Sequence, residues 1–541
     1  MKRRSKGRLK LPRKVKRILT VCITCLAIAL LIGAFGSLLG GSGSSGGGGS
    51  GTTRPPGTIL GPSGGSHDPI IPDVPSDPEE EPEEPELVGS EGLEYLSNND
   101  GTCTVIGIGT FTGTDLVIPS RSPAGDKVTS IANYAFTGKT TIKKVTFPST
   151  LKTFGFYCFA GCTGLTEVVI PDTVQKINLG AFKDCTKIQE MTLPFTGESR
   201  ESDYGFLAFV FGANSYSDTS FVPKTLVRVI LTGDRLAQRA FYNIDSLVQV
   251  VFKGQPEKIP NYAFYDCDSL SVLTGDKGNS DVILPSSVKE IGQYAFYSCE
   301  SFSFFELPEA VERIDSYAFA GCTALCYVSC GECLTYIGYC AFFSCTNLSY
   351  MNFPEHLEYL GNESFSGTKI VSSTASSYSV YISDWLYMSK GYSSVTVKSG
   401  TYGIAAYAFY YSASQLTKVV FSDTVVRVEG SAFLDCTKLQ SVTLSNSLQS
   451  IGNNAFSGCS SLKSLTLPSS LEKIGMNAFA SCTGLSSVVF SDSENWYVGD
   501  SSVGSEKDML LYAEELGYTN TASLYLVSTY KDKYWIKKTV E

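Results

Sequence analysis

IGQYAFYSCESFSFFELPEAVER (residues 291–313), IDSYAFAGCTALCYVSCGECLTY (314–336) and IGYCAFFSCTNLSYMNFPEHLEY (337–359) are three consecutive copies of one 23-residue pattern. Within a copy the apolar residues keep fixed places, as in Ile291, Ala295, Phe296, Cys299, Phe302, Phe305 and Leu307, followed by Pro308. The frame Leu-x-x-Val-x-Leu, seen plainly in Leu165, Val168 and Ile170, alternates with period two and predicts a short strand. A proline directly afterwards ends it, because proline has no N–H to give a ladder. One copy cannot bury its own inward face, so the copies must stack, each touching only its neighbours.

Outward from this stretch the same 23-residue step separates Phe154 from Ile177, Val428 from Ile451, and Ile451 from Ile474. Anchored on Ala-Phe and its equivalents, thirteen units follow: Phe136, Phe159, Phe182, Phe241, Phe264, Phe296, Phe319, Phe342, Phe365, Phe409, Phe433, Phe456 and Phe479. Three residues after the phenylalanine a cysteine recurs, at Cys162, Cys185, Cys267, Cys299, Cys322, Cys345, Cys436, Cys459 and Cys482. Such a column reads as buried thiols packing as small hydrophobes, with disulfides between neighbouring rungs as the alternative. The tenth unit puts Ser412 in this place, and Thr443-Leu444-Ser445 lacks the proline.

The ends differ in composition. Ten of the first seventeen residues are Lys or Arg, whereas the whole chain has 43 basic against 53 acidic side chains. Beyond that tail 33 basic residues therefore face 53 acidic ones, a balance that argues against nucleic acid as a partner, since phosphate contact needs clustered cations. Ile18 to Leu39 is an uncharged run of 22 residues, long enough for one membrane-crossing helix, and the basic flank places residues 1–17 on the cytoplasmic side. That predicts a single-pass anchor with an extracellular ectodomain. The alternative is secretion after cleavage at Ala34-Phe35-Gly36. Residues 40–87 pass from a Gly/Ser-rich stretch to PSDPEEEPEEPE (75–86) and read as a linker that buries too little apolar surface to fold. Residues 88–127 are expected to cap the stack at its start, 128–490 to form the repeats with insertions near 195–225 and 371–403, and 491–541 to cap its end. In the last segment MLLYAEELG suggests a short helix and YKDKYWIKK a strand.

With these residues in view the chain resembles the BspA-like subclass of bacterial leucine-rich repeats. The resemblance spans about residues 92–490 and includes the opening segment GLEYLSNNDGTCTVIGIGTFTGTDLVIPSRSPAGDKVTSIANYAF (92–136) and both insertions. It implies a leucine-rich repeat solenoid: a parallel β-sheet with one short strand per repeat and irregular or short helical turns on the opposite side. It also implies a surface protein for adhesion to host components, other cells or glycans. It supplies no ligand-binding motif.

Signs of catalysis are few. The chain has two histidines: His67 lies in the linker, and His356 follows Pro354 where other copies carry Ser or Thr. GxSxG occurs at 43–47 and 61–65, both in the linker, without the strand and helix of a nucleophile elbow. Neither a phosphate loop nor a dinucleotide fingerprint is found. No cofactor, metal or catalytic residue is assigned. Cys326, Cys330, Cys333 and Cys340 crowd within fifteen residues, but their spacings do not form the two close pairs usual for zinc; free thiols or a local disulfide are the alternatives. Candidate binding residues come instead from the outward strand positions. Phe304, Tyr327 and Tyr350 fall one strand apart in register, with Glu306 and Asn352 beside them, and predict an exposed aromatic stripe that meets a ligand or braces the sheet. The insertion at 195–225 is a second candidate surface, through Tyr204, Phe206, Phe209 and Tyr216. The partner expected is an extracellular protein or glycan. A structural spacer or matrix protein without a specific ligand is the competing reading, and a secreted enzyme is a distant third.

Overall fold

The computed structural model describes residues 87–203, 205–275, 283–373, 379–505 and 507–538. The expected cytoplasmic tail, the apolar run Ile18 to Leu39 and nearly all of the linker lie outside the described residues. Among the described residues no helix is long and apolar enough to cross a membrane. Val88–Glu541 forms one unit.

Each 23-residue copy makes one turn of a coil. Its first strand is the Leu-x-x-Val-x-Leu segment: Phe304–Glu306, Tyr327–Ser329 and Tyr350–Met351 pair in parallel, Phe305 opposite Val328 and Val328 opposite Met351. A second strand closes the coil. Glu290–Ile291, Arg313–Ile314, Tyr336–Ile337 and Tyr359–Leu360 pair in parallel in the same register, coil upon coil. The expectation of one strand per repeat is therefore corrected to two. The second is only two residues long, too short for a period-two pattern, and it forms because the turn after Pro308 delivers each isoleucine above the one before it.

The rest of the coil is tight turn, without the helices of a helical repeat. Within a coil the Cys322 N–H donates to Phe319 O at 3.2 Å and the Leu325 N–H to Cys322 O at 3.1 Å. Between coils the Phe296 N–H donates to Ala318 O at 2.7 Å and the Phe319 N–H to Ala341 O at 2.8 Å. These bonds stack the phenylalanine rings face to face: Phe264, Phe296, Phe319, Phe342 and Phe365 are each 5.2 Å from the next. The column cysteines serve the same stacking. Eight of the nine thiols, Cys436 aside, reach one coil back to the phenylalanine carbonyl, as in Cys299 to Phe264 (3.0 Å), Cys322 to Phe296 (3.1 Å) and Cys345 to Phe319 (3.0 Å). Ser412 does likewise with its hydroxyl, to Ser389 O at 2.9 Å. Among the described residues no disulfide joins any of the fifteen cysteines.

The two insertions turn out to be coils as well. The Phe182 N–H donates to Val210 O at 2.9 Å, as Phe159 does to Ala181, so Phe211 enters the phenylalanine column and is fully buried. The strand that follows, Arg228–Leu231, pairs in parallel with Glu190–Leu193 on one side and Gln249–Phe252 on the other. In the second insertion Ser379–Ile382 and Trp385–Ser389 form an antiparallel hairpin, and Trp385–Leu386 pairs in parallel with Gly403–Ile404. Ser389 stands at the phenylalanine position there, its N–H donating to Ala408 O at 2.7 Å, while the buried Tyr387 ring packs edge-on to Phe365. The thirteen units read from the sequence are thus fifteen coils among the described residues. The second insertion is also where the buried core divides: one cluster ends at Trp385, Tyr387 and Ala405, and the other begins at Leu386.

At the start, Glu94–Ser97 pairs antiparallel with Thr102–Gly107, which joins Lys127–Ile131 in parallel. At the end, Tyr534–Lys537 pairs antiparallel with Lys473–Ile474 and with Trp496–Gly499. Met509–Leu510 is extended and the short helices begin at Ala513 and Thr519.

Candidate ligand surface

The side chains of Phe304, Tyr327 and Tyr350 leave the first strands on the side opposite Phe305, Val328 and Met351, which are buried. The rings stand in register: Phe304 and Tyr327 are 4.9 Å apart and Tyr327 and Tyr350 are 5.2 Å apart, both pairs within 10° of parallel. The outer two rings are exposed, 36% at Phe304 and 54% at Tyr350, while Tyr327 between them is half-buried. Glu306 is exposed at the end of the same strand. Such stacking has a chemical consequence. Both faces of the Tyr327 ring are taken by its neighbours, so an approaching molecule meets ring edges, a phenol hydroxyl and the Glu306 carboxylate rather than a flat platform.

Asn352 lies one residue past its strand, and its amide is engaged at both ends: Nδ2 donates to Cys330 O and Oδ1 accepts from the Cys330 N–H, each at 2.8 Å. It builds the edge of this surface instead of offering a free amide. The Cys330 thiol donates to Asn352 O at 2.7 Å, and Cys326 donates to Ser303 O at 2.9 Å. Burial, with Glu332 and Glu309 nearby, pushes the Cys330 thiol up to about 12. Cys333 is exposed and Cys340 buried. Among the described residues no group of three His, Cys, Asp or Glu side chains could hold a metal ion.

The residues chosen in the first insertion do not form one surface. Tyr204 lies outside the described residues. Phe206 and Phe209 are half-buried, edge to face at 6.0 Å, and Phe206 packs against the core. Tyr216 alone reaches outward, with the Arg239 guanidinium 4.5 Å from its ring centre and Tyr242 4.9 Å away.

Tyr216 leads instead to an aromatic surface that sequence reasoning missed. Two residues before the column phenylalanine, Tyr262, Tyr294 and Tyr317 stack at 5.0 and 4.7 Å. One residue after it, Tyr242, Tyr265 and Tyr297 stack at 4.7 and 4.9 Å. The columns lie side by side, Tyr294 being 5.5 Å from Tyr297. The Arg239 guanidinium caps the first column, 5.2 Å from the Tyr262 ring centre. Burial raises the phenols of Tyr242 and Tyr294, and that of Tyr265 to about 12, with the other tyrosines adding to the effect. Tyr262, Tyr294 and Tyr317 have φ of 60°, 56° and 59°, a left-handed backbone that costs an L-residue roughly 1–2 kcal/mol. Asn454 and Asn477 hold the same place in later coils, where a short polar side chain tolerates it better. The signal was present in the sequence as the recurring Tyr-Ala-Phe-Tyr, at 262–265 and 294–297.

His356 and Asp384 form a pair, Nδ1 to Oδ2 at 2.5 Å. Ser383 donates to the same carboxylate at 3.2 Å, and to Pro354 O at 2.8 Å. The acid thus sits between serine and histidine, which is the wrong order for a base that must accept the serine proton.

Short parallel strands, a turn-rich return and an internal phenylalanine column joined by a cysteine in nine of the coils define a leucine-rich repeat solenoid. The chain belongs to the family of the BspA-type leucine-rich repeat region, which matches in six copies over residues 103–204, 234–282, 276–393 and 402–504. Among solved structures it is similar to a leucine-rich cell surface protein of Faecalibacterium prausnitzii, at 21% identity, covering 75% of this chain and 89% of that one with a TM-score of 0.25. A leucine-rich repeat protein of Bacteroides ovatus gives 22% identity, 74% and 88% coverage and a TM-score of 0.25. The leucine-rich repeat protein of T. pallidum gives 21%, 48% and 90%, with a TM-score of 0.22. No curated protein matches the chain.

Proposed function

We propose that this chain is a non-catalytic adhesion protein, held outside the cell by its N-terminal apolar segment or released after cleavage there, and that the face carrying Phe304, Tyr327, Tyr350 and Glu306 contacts its partner. The observation that carries this reading is the in-register row on the sheet's outer side: exposed Phe304 and Tyr350 with half-buried Tyr327 stacked between them on adjacent strands, beside a carboxylate. Tyrosine is among the residues that dominate binding energy in protein interfaces, and here the rings are held rigid before contact. Because stacking covers the faces of Tyr327, an extracellular protein suits the row better than a glycan that needs a flat platform. The same stacking also favours a second reading, a spacer whose rings serve only to brace the sheet.

Presenting the full-length protein to arrays of matrix proteins and of glycans separates these. Adhesion predicts a protein hit that is lost when Phe304, Tyr327 and Tyr350 are all changed to Ala in a folded variant. Binding that survives this change would assign contact elsewhere, and silence on both arrays would leave the spacer. Mass analysis of the mature N-terminus decides between the anchor and cleavage before Ser37.

A further inference from the structure

The paired tyrosine columns carry a consequence that does not depend on any binding partner. Tyr294 and Tyr317 belong to successive coils, with ring centres 4.7 Å apart and planes 4° from parallel; Tyr265 and Tyr297 stand at 4.9 Å and 5°. All four are half-buried, so each ring keeps an edge towards solvent. The positive φ of Tyr262, Tyr294 and Tyr317 is the backbone of this place in the coil, as at Arg239, Cys340 and Asn454, and it sets the three rings of the first column in register. We propose that these columns are sites of oxidative tyrosine cross-linking, in which a one-electron oxidant such as peroxidase-activated hydrogen peroxide joins Tyr294 to Tyr317 and Tyr265 to Tyr297.

The chemistry balances within each pair. Each phenol gives one electron to the oxidant and its hydroxyl proton to solvent, leaving two phenoxyl radicals with spin shared onto the ring carbons beside the oxygen, Cε. Two Cε atoms form one C–C bond, and the hydrogen on each passes through solvent to the phenolic oxygen, restoring both aromatic rings. The net change is loss of two hydrogen atoms from the protein, and one peroxide is reduced to two waters. Neighbouring rings held at this distance react as one molecule rather than by encounter, which favours the link within a chain over links between chains. A further ring does not interrupt the process, since Tyr242 and Tyr262 continue the two columns and can pass an electron to a neighbouring radical. Each link would tie one coil to the next across a single repeat, and so restrict the unfolded chain as a disulfide does, where the described cysteines form no disulfide among themselves.

The test treats dilute full-length protein with horseradish peroxidase and limiting peroxide, then maps tryptic peptides. The expected result is a monomer lighter by two hydrogens per link, dityrosine fluorescence independent of protein concentration, and a linked pair of peptides joining residues 290–313 to 314–369. Changing both Tyr294 and Tyr297 to Phe keeps the rings but removes the oxidisable phenols, so that linked pair should vanish while the melting curve before oxidation stays unchanged. The proposal is overturned if an oxidant that couples free tyrosine yields no dityrosine in the protein, if all links join separate chains, or if the mapped pair persists in the double variant.

Discussion

Thiols of the column, such as Cys322, do two things at one position: they fill the space beside the phenylalanine stack and they satisfy a carbonyl of the preceding coil. The two contributions can be separated by substitution. Cys322→Ser should keep the hydrogen bond, as Ser412 does, and cost on the order of 1 kcal/mol, whereas Cys322→Ala removes one of the two donors to Phe296 O, which keeps the Cys299 N–H, and opens a void, at about 1–3 kcal/mol. Urea denaturation of the two variants decides it, and equal costs would mean that the hydrogen bond contributes nothing. Burial also sets a pH dependence. Desolvation lifts the thiols above their ordinary value of 9.0, to about 11 for Cys162 and about 12 for Cys436. Below pH 9 the thiols are protonated whether the chain is folded or not, so stability is flat there. Above it the unfolded chain ionises first, and stability should fall by roughly 1.4 kcal/mol per pH unit for each such thiol until the folded values are passed. A melting temperature that holds steady from pH 7 to 8.5 and drops steeply by pH 10 would bear this out. The column itself was legible from spacing alone, because eight of the twelve steps between its thirteen phenylalanines are 23 residues long. Which carbonyl each thiol meets was not, since that partner lies 26 residues back and is defined only once the coils stack.

At the scale of the coil, the corner after the second strand is the tightest point. A Cβ on Gly361 would stand 2.3 Å from the backbone carbonyl carbon of Gly338, and one on Gly338 would stand 2.5 Å from Ser316 N. Backbone cannot give way as a side chain does, so Gly361→Ala should destabilise by about 1–3 kcal/mol or more, read as a lowered denaturation midpoint. The aromatic row of the first strands has a smaller expected effect. Tyr327→Ala removes two ring contacts at the sheet surface and should cost about 0.5–1.5 kcal/mol, while Tyr327→Phe should be nearly neutral. If binding is lost in Tyr327→Phe at unchanged stability, the phenol hydroxyl and not the sheet is what the partner reads. The first strands, marked by the Leu-x-x-Val-x-Leu frame, could be placed from sequence, and with them the register of Phe304, Tyr327 and Tyr350. The second strands, two residues long and outside that frame, could not. The coil within residues 195–225 was hidden for a related reason: Ala208-Phe209 looks like the repeat anchor, but it is Val210-Phe211 that enters the column, two residues on.

For the whole unit the decisive features are its ends and its internal division. A stack of coils leaves open ladder edges and apolar faces wherever it stops. Tyr534–Lys537 covers the last of the second strands, Lys473–Ile474, by antiparallel pairing, and Trp535 and Trp496 are buried against the final coil with Leu516, Ala522 and Leu526. Trp535→Ala should therefore cost about 3–5 kcal/mol, the scale for emptying a large buried ring. Where that loss is felt depends on the division of the core. The apolar cluster containing Trp535 begins at Leu386 and is separate from the one that runs from Leu93 to Trp385. In a linear array each coil draws its stability from its neighbours, so damage at one end spreads only as far as cooperativity carries it. Hydrogen exchange on the Trp535→Ala variant should accordingly rise first in the second strands at Arg427–Val428, Ser450–Ile451 and Lys473–Ile474. The strands at Thr153–Phe154 and Lys176–Ile177 should keep their protection. A uniform rise over both sets would show that the hairpin at Ser379–Ser389 couples the two cores into one cooperative body, and that the division in packing is not a division in folding.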